Sequence, residues 1–238
     1  MSTERPRILY PDSGPEAPFP LHMEGTVISG FGRGSKELGI PTANLPVDET
    51  ATPWIASAKS GVYFGYASLL LPTTHADYPA SADASTTNAP QPNGPSSSST
   101  STSTTTTTTT NSTSTTDGDN SQSQSPPKSK WLIYPMVMSI GYNPFYKNAV
   151  RSAEVHVLRR FGADFYGAPM RLLILGFVRD ELDYAGRDAL IRDINIDCDV
   201  ARQSLARPAW IPRQGTAVED GGGATTGGLD GSWLVREA

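Results

Sequence analysis

Residues 30–44, GFGRGSKELGIPTAN, concentrate more potential chemistry than any other stretch of the chain. Gly30, Gly32 and Gly34 carry no Cβ and tolerate positive φ, so backbone amides there can approach an anion closely, while Arg33 and Lys36 add positive charge. Thr42 and Asn44 follow, two residues apart. In an extended segment their hydroxyl and amide carbonyl point to one side, as hard oxygen donors for magnesium on a nucleotide must. Taken alone, Thr42 and Asn44 after Pro41 read as turn residues before they read as metal ligands. The span fits neither G-x-x-x-x-G-K-[ST], since Lys36 lies between Ser35 and Glu37, nor G-x-G-x-x-G, since the glycines fall at 30, 32 and 34. The protein-kinase triplets H-R-D and D-F-G are absent too.

A second chemical centre lies at residues 153–158, AEVHVL, where residue types alternate with a period of two. Ala153, Val155 and Val157 share one face of a strand, and Glu154, His156 and Leu158 the other. A carboxylate and an imidazole at i and i+2 make either a proton-transfer pair or an ordinary solvated edge.

These two blocks occur in order with several others: GTVISGFGRGSKELGIPTANLP, SGVYFGYA, MSIGYNPFYKN, AEVHVLRRF, DFYG and LGFVRDE. Together they closely resemble the riboflavin kinase family, which phosphorylates riboflavin to FMN with ATP, over about two thirds of the chain. The resemblance implies that Thr42 and Asn44 hold the magnesium bound to ATP, with zinc or manganese as alternatives. It also makes Gly30, Gly32, Arg33, Gly34 and Lys36 a flap over the phosphates, Tyr166 of DFYG an adenine-side contact, and Glu154 the base for the ribityl hydroxyl. For the flavin it suggests Arg179, Leu182 and Tyr184. The family's R-P-E triplet reads Arg179-Asp180-Glu181 here, and Tyr142 stands where Trp is frequent. Phe165 is expected mainly as barrel core. The implied enzyme is the monofunctional, fungal-like type, without FAD synthesis. The competing reading is a flavin- or nucleotide-binding module or adaptor that keeps the fold without turnover.

Positioning these groups requires an ordered framework. HMEGTVISG, SGVYFGYASLL, WLIYPMVMSIG, SAEVHVLRRF and MRLLILGFV are strand-like in composition, with breakers between them. From Arg187 to Leu205, Leu190, Ile191, Ile194, Cys198, Ala201 and Leu205 recur at helical spacing. Strands followed by a helix predict a mainly β, α+β domain; the resemblance sharpens this to a six-stranded antiparallel Greek-key β-barrel with a C-terminal α-helix. The expected organisation is an N-terminal extension (1–20), one domain (21–206) and a flexible glycine-rich tail (207–238), in which Trp233, Leu234 and Val235 are candidates for docking. Within the domain, a Ser/Thr-rich disordered insertion at 72–130 includes seven consecutive threonines at 104–110. Such an insertion costs little, because closure entropy grows only logarithmically with length.

Composition narrows the partners. A net charge of −5 with no basic stripe argues against nucleic acid. A single cysteine, Cys198, allows no intrachain disulfide and no Cys-based zinc site, and its helix position predicts a buried thiol. No apolar run reaches the ~20 residues of a membrane span, and the N-terminus lacks a secretory h-region. The expectation is a soluble, intracellular, cytoplasmic monomer acting on small molecules.

Overall fold

A computed structural model of the chain describes residues 5–29, 39–79, 129–142, 151–217 and 226–237. Six strands form one antiparallel sheet: β1 (Leu21–Thr26), β2 (Ala43–Leu45), β3 (Gly61–Leu70), β4 (Trp131–Tyr142), β5 (Arg151–Val157) and β6 (Pro169–Asp180). Their order is β1-β6-β3-β4-β5-β2. β3, β4 and β5 form a meander and β6 returns beside β3, which is the Greek-key order. The sheet curls until its two edges touch: Ile28, just past β1, donates its amide to the Asn44 carbonyl of β2 at 2.9 Å. The fold is therefore mainly β, with curled antiparallel strands.

The sequence pattern explains the two cores. β4 is apolar almost throughout because both of its faces are covered. Leu132, Tyr134, Met136, Met138 and Ile140 point into the barrel with Val155, Leu172 and Ile174, whereas Ile133 and Val137 pack outside with Cys198, Ala201 and Leu205. These last three belong to α1 (Arg187–Leu205), which has Asp188 in its first turn and Arg202 in its last, both favourable to the helix dipole. At the N-terminal end of α1, Leu190, Ile191 and Ile194 are only half-buried. The barrel interior is filled with side chains, so substrates must bind on its wall or rim. Gly65 marks one tight crossing: a Cβ there would overlap the Leu173 carbonyl oxygen of β6, at an irregularity in the β3–β6 register.

The ends of the chain and the start of the insertion are packed where they are described. The described residues of the tail, 206–217 and 226–237, pack against the domain. Trp210 and Leu234 are fully buried, Leu234 within a short α2 (Ser232–Val235), and the Leu234 carbonyl accepts from the buried Ser68 hydroxyl at 2.6 Å. The Trp233 indole donates to Leu172 O at 3.1 Å. Glycine content dominates the composition of this tail, but a few large apolar anchors decide its packing. The N-terminal residues also dock: Tyr10 lies about 6 Å from the rings of Phe19, Phe64 and Trp210, and Arg5 pairs with Asp197.

The insertion expected at 72–130 falls largely outside the described residues. At its start, residues 72–79 are turned and anchored, with the Asp77 carboxylate accepting from the Gly162 and Ala163 amides at 3.0–3.2 Å. Residues 1–78 and 128–238 form one compact unit; of the second unit, 79–127, only Pro79 is described.

Candidate active site

The sequence pattern gives no reason to expect a strand at Ala43–Leu45, yet this three-residue strand positions the centre of the site. β2 pairs with β5 so that Asn44 lies directly opposite Glu154, and Ala43 opposite Val155. Directly opposed residues on one face have Cβ atoms about 5 Å apart. Ala43, Leu45, Ala153 and Val155 enter the barrel core, so alternation sends Asn44 and Glu154 outward together. Asn44 is 9% exposed. Burial raises the Glu154 carboxyl above the usual glutamate range, favouring proton acceptance nearer neutral pH.

His156 is the next outward residue on β5, and its Nδ1 lies 2.8 Å from the Pro41 carbonyl. A carbonyl only accepts, so Nδ1 carries the proton. This bond ties β5 to the residue preceding Thr42 and gives His156 a structural task. Burial also lowers its pKa, keeping the ring neutral near pH 7.

Thr42 and Tyr166 meet in a cleft at the barrel rim, lined also by Val27, Val155, Val157 and Phe165. It measures about 40 Å³, a floor and not an enclosed site. Tyr166 is 49% exposed. Phe165 packs against the barrel core as expected, but it also faces this cleft, 4.7 Å from the Phe161 ring. Sequence reasoning missed Val155, Val157 and Arg159 here. The first two were legible, because the alternation that exposes Glu154 assigns them to the opposite face. Arg159 holds its guanidinium 5.2 Å from the Tyr134 ring and 5.7 Å from that of Phe161, geometry created by the fold.

The flap residues Gly30, Gly32, Arg33, Gly34 and Lys36 lie outside the described residues, as do residues 143–150. The three residues suggested for flavin binding follow β6 or end it, with different surroundings. Leu182 is 53% exposed. Arg179 grips Asp197 of α1 through Nε and Nη2 at 2.8–3.1 Å and donates Nη1 to Asp180 O. Asp197 also pairs with Arg5, so this buried carboxylate joins the N-terminal strap, α1 and β6. The Tyr184 hydroxyl donates to Asp193 at 2.9 Å, and burial followed by that bond pushes its pKa up to about 12. The loop itself reaches back across the sheet: a Cβ on Gly141 of β4 would collide with the Glu181 carboxylate. Arg179 and Tyr184 therefore fasten the loop, and Leu182 is its exposed apolar side chain.

No group of three or more His, Cys, Asp or Glu residues suited to a metal occurs among the described residues. Thr42 and Asn44 offer neutral oxygens, a donor set that suits magnesium or manganese and lacks the nitrogen and sulfur that zinc favours. No helix among the described residues is long and apolar enough to cross a membrane.

This antiparallel barrel, with Asn44 set against Glu154 and Thr42 in the rim cleft, agrees with a family match. The family described as "Flavokinase: Riboflavin kinase" matches residues 17–205, and the chain belongs to the riboflavin kinase family. Among its relatives, a riboflavin kinase of Neurospora crassa is 61% identical, covering 98% of this chain and 97% of its own. That of Pyricularia oryzae is 54% identical over 99% and 96%, and that of Chaetomium globosum 57% over 98% and 93%.

Proposed function

We propose that this chain transfers the γ-phosphoryl group of ATP to the ribityl 5′-hydroxyl of riboflavin, giving FMN and ADP. The observation that carries the reading is the β2–β5 register, which sets Asn44 against Glu154 on one outward face. Phosphoryl transfer asks a protein for positioning, charge neutralisation and a proton acceptor. Glu154 accepts the proton of the attacking hydroxyl. The hydroxyl oxygen bonds to the γ-phosphorus while the bond from phosphorus to the β–γ bridging oxygen breaks, and that electron pair leaves with ADP. No phospho-enzyme forms.

Thr42 and Asn44 would hold magnesium, which when bound supplies positive charge to the nucleotide phosphates. Adenine enters the rim cleft against Tyr166, and Gly30, Gly32, Arg33, Gly34 and Lys36 cover the phosphates. Leu182 packs on the flavin, with Arg179 and Tyr184 holding its loop in place. The monomer is the proposed active unit.

The test is incubation of the purified protein with riboflavin, ATP and magnesium, followed by chromatographic separation of flavins, with an EDTA control. EDTA-sensitive FMN without FAD is the expected result. Unchanged riboflavin that nevertheless binds tightly by fluorescence quenching would replace the kinase with a non-catalytic binding module.

A further inference from the structure

A second hollow, about 510 Å³, opens between the outer face of β5 and α1, beside Pro41. Its volume falls within the ~300–1,000 Å³ common for small-molecule sites. His156, Arg159, Arg160, Asn195, Cys198 and Arg202 line it with the segment 39–41, and no carboxylate does. That bias contrasts with the chain as a whole, which carries 24 acidic against 19 basic residues. Arg160 makes no ion pair among the described residues. Among the described residues, Arg202 pairs with Asp199 alone, at 3.3 Å, where the side chains are 53% and 68% exposed, a solvent-screened contact that holds the guanidinium weakly. The Asn195 amide adds a neutral donor. His156 fixes one wall through its bond to Pro41 and, being neutral, contributes no charge.

Position gives the hollow its meaning. Outward residues on β5 recur every second position, so His156, at the rim of the hollow, is the next outward residue on the strand after Glu154. Arginine charge in a lining that holds no carboxylate favours oxyanions. We infer that the β5–α1 hollow is a phosphate subsite in which Arg160 and Arg202 receive a phosphate-type anion. Two reactants of the proposed reaction carry such a group: the polyphosphate of the nucleotide and the phosphate of the flavin product. Assigning the source rests on the kinase reading; the subsite itself does not.

The experiment titrates inorganic pyrophosphate into the full-length chain by calorimetry, in EDTA so that no divalent ion bridges it to Thr42 or Asn44. The wild type is compared with the Arg160→Gln/Arg202→Gln double variant and with Arg7→Gln/Arg192→Gln, which removes two charges at exposed arginines outside the hollow. Thermal melting verifies that each variant folds. Pyrophosphate affinity should fall at least about tenfold in the first double variant, the scale of a lost charge-assisted contact, and change less than about twofold in the second. No binding to the wild type, or equal losses in both double variants, overturns the subsite.

With turnover measured, a raised KM for ATP at unchanged inhibition by FMN assigns the nucleotide. The reverse assigns the flavin phosphate, and neither moving reduces the hollow to an adventitious anion site. A wild type that makes no FMN would refute the kinase reading without touching the pyrophosphate result.

Discussion

Replacing Glu154 with glutamine separates catalytic from structural roles because it keeps the shape of the side chain and one acceptor oxygen while removing its proton-accepting charge. A positioned general base contributes roughly 10²–10⁴ in rate, so Glu154→Gln should raise the barrier by about 3–5 kcal/mol, with riboflavin and magnesium-ATP binding nearly unchanged. Stability should move in the opposite direction. Burial holds the folded-state carboxyl pKa above its unfolded value, so ionised Glu154 costs stability at neutral pH, and the cost disappears once pH falls below the ordinary carboxylate range. The variant should therefore melt at least as high as the wild type near pH 7, an advantage that fades by about pH 4. Wild-type turnover should fall on the acid side as Glu154 protonates, beginning at a higher pH than an exposed glutamate would give. Flavin chromatography measures turnover, and thermal melts across pH measure stability. Turnover within about threefold of wild type, less than ~1 kcal/mol, would refute the base assignment, and a variant less stable at neutral pH would refute the burial argument.

Three other perturbations test the framework. Asn44→Ala should raise the KM for magnesium-ATP and leave riboflavin binding by fluorescence quenching near wild type, because it removes one oxygen donor beside Glu154. Asp197→Ala leaves Arg179 without its bidentate partner and Arg5 with only its longer contacts to Asp193; denaturant melts should show a loss of about 3–5 kcal/mol, as for a broken buried pair. Deleting residues 80–124 should change kcat/KM and melting temperature little, since the paired ends Leu70 and Trp131 still close through a shortened connection.

Much of the candidate site was legible because its chemistry depends on residue types at short spacing. Thr42 and Asn44 differ by two positions, and the alternation around Glu154 gave both its face and the opposite, cleft-lining face. The 19-residue α1 was equally readable, since its apolar residues span several turns. What sequence could not supply came from long-range contacts. The three residues of β2 carry too little pattern to declare a strand, and its pairing with β5 closes over more than a hundred residues. The bidentate contact of Arg179 with Asp197 joins residues of β6 and α1 that no local pattern pairs. In the tail, glycine dilutes Trp210, Leu229 and Leu234, which are spaced with no period because each fills a different recess.

The β3–β4 hairpin also makes the chain divisible. Its long connection joins one fragment holding Thr42 and Asn44 to another holding Glu154, and ten register pairs between Gly61–Leu70 and Trp131–Ile140 span the break. Two polypeptides cut within that connection would each carry half of the chemistry and an unpaired strand edge that only the other satisfies. Reunion would be read directly as newly formed FMN, making the pair a complementation reporter whose signal is the vitamin-derived product itself.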